Sequence, residues 1–231
     1  MSLRTKNTTS IDIADLFAEA HSRVPSGHFC HYTAAAYHGL TNQVPNRVYI
    51  RKLDVGANRS RPDRLNDLQI RTQFLKPHRR SGETVELAAS TIVFVAGKLN
   101  DDVGVVSIPA THSEFPEGSR ITDLERCLID AVVAPHYNGG VTTLPGLFEE
   151  AADQVNLKTL TEHYRELDFL YPYHQTIGFF LDHSGQKNAA TRWRETFPPI
   201  NRFFADKNAK SSWDYDSKWQ VQYPRGLVNA D

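Results

Sequence analysis

The hydrophobic and polar positions of this chain change period twice. Over residues 11–20 the apolar Ile13, Leu16, Phe17 and Ala20 follow the i, i+3, i+4, i+7 spacing of an amphipathic helix, with Ser10 placed to cap it. Val24-Pro25-Ser26-Gly27 interrupts that pattern. Thr33 to Tyr37 predicts a short helix of small residues, and Gly39 falls where a left-handed C-cap would stand. In Arg47-Val48-Tyr49-Ile50-Arg51, β-branched and aromatic residues alternate with basic ones, as in a half-buried strand. Residues 54–67 hold Gly56, Asn58 and Pro62 and read as an exposed loop. Further strands are expected at 68–75, 84–87, 91–96 and 103–108.

From Thr122 onward the period is helical. Thr122-x-x-Glu125 reads as a capping box, in which the Thr hydroxyl accepts from an early backbone N–H and Glu125 reaches back to the cap. Leu124, Cys127, Leu128 and Ala131 form the apolar stripe of that helix, and Pro135 ends it. A second helix carries Leu147, Phe148 and Ala151, with Pro145 in its first turn. Asn156 caps a third, bearing Leu157, Leu160, Tyr164 and Leu167. A fourth runs between Pro172 and Gly185 with Ile177, Phe180 and Leu181 inward, and a fifth covers 188–196. The tail 217–223 alternates like a strand and is expected to return to the sheet edge. Strands gathered early and helices gathered late predict an α+β fold, a central mixed sheet from the first half packed against a cluster of helices from the second.

Composition adds bounds. The 231 residues, 40% hydrophobic and 23% charged, suffice for a sizeable core. No apolar run approaches the roughly 20 residues that cross a bilayer, so no membrane partner is expected. Two cysteines, Cys30 and Cys127, are too few for a disulfide framework and fit a reducing cytoplasm. Charge is uneven. Residues 46–80 carry ten cations (Arg47, Arg51, Lys52, Arg59, Arg61, Arg64, Arg71, Lys76, Arg79, Arg80) against Asp54, Asp63 and Asp67. That stretch is therefore +7 in a chain of net charge −1. It is either a surface for DNA or RNA or a solvated strand-and-loop region balanced by acidic helices.

Candidate chemistry is sparse. His28-x-Cys30-His31 is the densest cluster of metal-ligating residue types, but no second Cys/His group matches it, and zinc needs three or four ligands. Glu83, Glu86, Asp101 and Asp102 are carboxylates of the kind a nuclease uses, without the acid-x-Lys spacing after a strand. The G-x-S-x-G elbow, the phosphate loop and the dinucleotide turn are absent. Arg126 and Asp130, four apart on one helix, are placed to pair with each other, and Arg126 to hold neighbouring carbonyls. The aromatic set Trp193, Phe197, Phe203, Phe204, Trp213, Tyr215 and Trp219 suits packing better than base stacking. No catalytic residue, metal or cofactor is expected.

Three ordered blocks carry a family resemblance. His31-Tyr-Thr-Ala-Ala-Ala-Tyr-His38-Gly39-Leu40, running on to Pro45, resembles a segment of the AbiEi-type antitoxin family, transcriptional regulators of type IV toxin–antitoxin and abortive-infection loci. Ile121-Thr-Asp-Leu-Glu125-Arg126-Cys-Leu-Ile-Asp130, followed by Gly139-Gly140, is similar to the second block of that family, and Ile177-Gly178-Phe-Phe-Leu-Asp182-x-x-Gly185 to a third. The structural signature is thus His38, Gly39, Thr122, Glu125, Arg126 and Asp130. The sequence departs from the family at Cys127, where Thr is common, and at Thr176, where an arginine is usual. The resemblance implies an AbiEi-like C-terminal domain over 29–231. Residues 1–28 are then a helical extension in place of a complete winged helix-turn-helix. It also implies a non-enzymatic role: opposing a cognate nucleotidyltransferase-like toxin and supporting autorepression.

Overall fold

The computed structural model describes residues 11–43, 46–52, 65–79, 82–96 and 102–228. The first part of the chain forms α1 (Ile13–Arg23), β1 (His28–Phe29), α2 (Tyr32–Tyr37), β2 (Arg47–Lys52), α3 (Asp67–Phe74), β3 (Thr84–Leu87), β4 (Ser90–Ala96), β5 (Val105–Ser107) and β6 (Arg120–Thr122). Helices α4 (Leu124–Val133), α5 (Leu144–Glu150), α6 (Leu157–Glu166), α7 (Tyr173–His183) and α8 (Lys187–Thr196) follow. Short strands β7 (Phe203–Phe204), β8 (Asp214–Asp216) and β9 (Val221–Tyr223) close the described chain.

Six strands form a mixed sheet in the order β3-β4-β2-β1-β6-β5. Its centre is parallel where β2 lies on β4, from Arg47 beside Thr91 to Lys52 beside Ala96, and where Phe29 of β1 lies beside Ile121 of β6. The other pairings are antiparallel. Side chains alternate across β2: Val48 and Ile50 enter the main core, while Tyr49 joins Cys30, Val93 and Val95 on the opposite face. The fold is therefore the expected α+β arrangement, with a sheet from the first half and helices from the second.

The core is shared by both halves. Leu16, Phe17 and Ala20 of α1 are buried, and Phe17 stacks on Phe115 with ring centroids 4.1 Å apart. Helix α1 thus belongs to the same core as the sheet. Its observed N-cap is Asp12, whose carboxylate accepts from the Ala14 N–H at 2.8 Å; Ser10 lies outside the described residues.

Two expectations are corrected. Residues 68–75 are helical: α3 begins on a capping box in which Asn66 and Gln69 exchange side-chain-to-backbone bonds, and it buries Ile70 and Phe74. Leu68, Ile70, Thr72 and Phe74 alternate along the sequence, but the buried pair has i, i+4 spacing, and the cap decides the outcome. The tail does not return to the main sheet. Its strand is only β9, which pairs with β7 and β8 in a separate three-stranded sheet.

That small sheet is tied to α7. The buried Gln175 amide donates to the carbonyls of Asn201 at 2.7 Å and Trp219 at 2.8 Å. The Trp219 indole donates to Asp182 at 3.0 Å. Its ring lies on Gly178 so closely that a Cβ there would stand 2.0 Å from the ring carbon Cζ3. The third sequence block, Ile177 to Gly185, is the platform for the C-terminal segment.

Candidate functional site

The two main signature blocks meet in space. The ring Nε2 of His38, the C-cap of α2, donates to the Thr122 carbonyl at 2.7 Å, across 84 positions of sequence. A carbonyl only accepts, so Nε2 carries the proton. Burial lowers the His38 pKa, partly opposed by that bond and by nearby acids, so the ring is neutral. Gly39 ends the helix at φ +72°, a left-handed cap as expected.

The capping box predicted at Thr122 and Glu125 is not formed. Thr122 is the last residue of β6, and its buried hydroxyl has no hydrogen-bond partner among the described residues. Asp123 is the N-cap, its carboxylate accepting from the Arg126 N–H at 2.8 Å and pairing with His163 at 2.7 Å. Asp suits an N-cap as well as Thr does, so the local sequence did not choose between neighbouring residues; the strand pairing of Thr122 did. Glu125 instead accepts from the Asn156 N–H at 2.6 Å, tying α4 to the start of α6.

Beneath this lies a buried ionic network. Arg126 donates to Asp130 at 3.0 Å and to the Val103 carbonyl at 2.8 Å, as the i, i+4 spacing predicts. The other carboxylate oxygen of Asp130 accepts from Arg51 of β2 at 3.3 Å, and Arg51 also reaches His31 Nε2 at 3.0 Å. Burial pushes the Asp130 carboxyl up, but the two guanidinium charges outweigh it and hold it well below the usual carboxylate range. Burial lowers His31 to about 3, with Arg51 and Arg126 adding to the shift against the pull of Asp130. A guanidinium cannot accept, so the neutral ring carries its proton on Nδ1, a buried nitrogen without a partner among the described residues. His31 also has φ +53°, uncommon for a side chain other than glycine.

The basic stretch is divided by the fold. Arg51 is withdrawn into this network, its side chain only 12% exposed, which removes it from any surface for DNA or RNA. Lys52 pairs with Glu83. Arg47, Arg71 and Arg79 are exposed, while Arg59, Arg61, Arg64 and Arg80 lie outside the described residues. The carboxylates weighed for nuclease chemistry are also spread out. Glu86 accepts from Thr91, Asp102 pairs with Arg120, and Asp101 is outside the described residues.

An open cleft of about 800 Å³ runs between α2, β2 and the Gly139-Gly140 turn. Tyr32, Tyr49, Arg47 and His136 line it, with His78 and Asp206 paired on its wall. Tyr32 bonds Thr41 at 3.1 Å, and the His78 ring packs tilted against His136 with centroids 4.1 Å apart. Among the described residues, no group of three or more His, Cys, Asp and Glu side chains is placed to hold a metal ion. Cys30 and Cys127 are buried and not joined in a disulfide, and burial raises the Cys127 thiol well above its ordinary value. No described helix is long and apolar enough to cross a membrane.

The fold is similar to the crystal structure of RV2827C protein from Mycobacterium tuberculosis, with a TM-score of 0.57 and 15% sequence identity over 93% of this chain and 68% of that one. Likeness at this identity concerns the fold alone. No family model matches the sequence, and a search of curated proteins finds no match.

Proposed function

We propose that this chain is a non-enzymatic antitoxin and transcriptional-regulator domain of a bacterial type IV toxin–antitoxin, or abortive-infection, system. It acts in the cytoplasm against a nucleotidyltransferase-like toxin and supports autorepression. The observation that carries this reading is the junction of the signature blocks at His38 and Thr122. Residues that resemble the AbiEi-type blocks in sequence also come together in the fold. They do so as ties: His38 to a carbonyl, Glu125 to a backbone N–H, Arg126 and Asp130 to each other. Groups so committed build a scaffold, which leaves function to the surface.

Co-expression with the toxin gene beside it tests this directly. The expected result is relief of growth arrest by the full chain; arrest that persists at matched expression would sink the reading. The competing view, nucleic-acid binding through residues 46–80, keeps Arg47, Arg71 and Arg79 as exposed cations. It requires steep salt dependence, with a log–log slope of about 0.9 per phosphate contact.

A further inference from the structure

Glycine is among the poorest helix formers, yet Gly146 stands inside α5 without a reason in the fold. A Cβ built there would meet no atom within 4 Å, and its backbone is not in the left-handed region that favours glycine. Packing and backbone conformation both permit a side chain. What the missing side chain leaves open is the cleft, which Gly146 lines together with Gly139 and Gly140. Those two do have a local reason, at φ +85° and +105°. All three present bare backbone to the cleft, where a ligand can come closer than a side chain would allow.

The rest of the lining is made of rings and polar groups held in place. His78 pairs with Asp206, whose carboxylate also accepts from the Lys207 N–H at 2.7 Å. The His78 ring packs against His136, and His136 lies 4.0 Å from Tyr137, centroid to centroid. Tyr137 in turn meets Tyr49, itself a lining residue, at 5.5 Å. Tyr32 donates to the Gln43 side-chain oxygen at 3.3 Å and bonds Thr41 at 3.1 Å. Rings tied down in this way are already ordered, which lowers the cost of receiving a ligand. Two charged lining residues, Arg47 and Glu150, are exposed and form no ion pair among the described residues.

We infer that this cleft is a nucleotide-binding site. Its volume of about 800 Å³ lies within the range of about 300–1,000 Å³ common to small-molecule sites. Rings and bare glycine backbone suit the flat faces of a base, and contact with an aromatic ring favours every base, since each has a π face. Arg47 supplies the guanidinium that a phosphate takes in a bidentate pair. Glu150 offers acceptor oxygens, and bases carry N–H donors on their edges. A phosphate without a base would leave Glu150 facing a like charge, and a base without a phosphate would leave Arg47 unused. A nucleotide answers both. The terminal nucleotide of a strand offers the same chemistry as a free one. The inference goes beyond the antitoxin reading and does not depend on it.

The test is calorimetry on the full chain with the four ribonucleoside 5′-monophosphates, their nucleosides and ribose 5-phosphate. At least one monophosphate should bind, with its nucleoside and ribose 5-phosphate each at least tenfold weaker. Arg47→Ala should bring that monophosphate down to the level of its nucleoside. Gly146→Leu should abolish binding of both while melting no lower than the native chain, because leucine is a far better helix former and enters open space. Arg47 is exposed and its side chain ties down nothing among the described residues, so its variant keeps the test decisive should the leucine lower the melt. The site is overturned if no monophosphate binds, if ribose 5-phosphate binds as well as the monophosphate, or if either folded variant binds like the native chain. A 5′-phosphorylated tetranucleotide separates the two sources. Competition with tighter binding than the monophosphate assigns the site to a strand end; anything weaker assigns it to the free nucleotide. None of these readouts involves growth relief, so the antitoxin reading stands or falls separately.

Discussion

His38 Nε2 stands 2.7 Å from the carbonyl oxygen of Thr122, joining the end of α2 to the strand that leads into α4. The bond is partly buried, and removing its donor leaves a carbonyl with less solvent to replace it. Such a loss costs about 1–3 kcal/mol. His38→Ala should therefore lower the stability of the fold by that amount in urea unfolding. His38→Gln, which can place an N–H near the same point, should recover part of it. Equal losses in both variants would mean that ring packing, and not the bond, matters at this position.

The start of α4 offers a sharper comparison. Asp123 caps the helix and pairs with His163, whereas the buried Thr122 hydroxyl has no partner among the described residues. Asp123→Ala should destabilise by about 1 kcal/mol or more. Thr122→Val should be neutral or stabilising, since it replaces a buried hydroxyl by a methyl of similar size. A Thr122→Val loss as large as that of Asp123→Ala would restore the capping role to Thr122.

Periodicity located most helices because their buried stripes repeat at helical spacing and are bounded by residues of fixed local meaning. Asn156 at the cap of α6 and Gly185 after α7 are of this kind. It failed at α3, where an apolar residue outside the core mimics alternation, and at β1 and β6, which are two and three residues long and defined only by distant partners. The candidate site was legible in part. The Arg126–Asp130 pair is local and follows from spacing, but Arg51 reaches the same carboxylate from 79 positions away. An arginine on a strand carries no local mark of whether it faces solvent or a buried acid.

Acid should weaken the fold in a defined window. His31 titrates at about 3 in the folded chain and near 6.5 when exposed. Between those values the unfolded chain binds a proton that the folded one excludes, so stability falls as pH drops below about 6.5. His174, lowered to about 4 by burial, acts in the same direction. Asp130, held low, adds its own loss only below the ordinary carboxyl value of 3.8. Urea midpoints at pH 7, 6 and 5 should therefore decline. His31→Gln should remove up to about 1.4 kcal/mol per pH unit of that decline. An unchanged slope in the variant would show that His31 is not the group responsible.

Gly178 tests whether the third sequence block is a platform for the C-terminal sheet. A methyl at this position of α7 would overlap the Trp219 ring, with its carbon 2.0 Å from Cζ3. The ring cannot yield cheaply, because its indole N–H is bound to Asp182 and its backbone carbonyl to Gln175. Ordinary overpacking costs about 1–3 kcal/mol, and this overlap is severe enough to reach the upper end or exceed it. Gly178→Ala should displace Trp219, raise its fluorescence exposure to quenchers and loosen β7 to β9, while α4 and the main sheet stay folded. Hydrogen exchange separates the cases. Faster exchange confined to residues 201–223 supports the platform role, and exchange that is unchanged there, or that rises uniformly over the chain, refutes it.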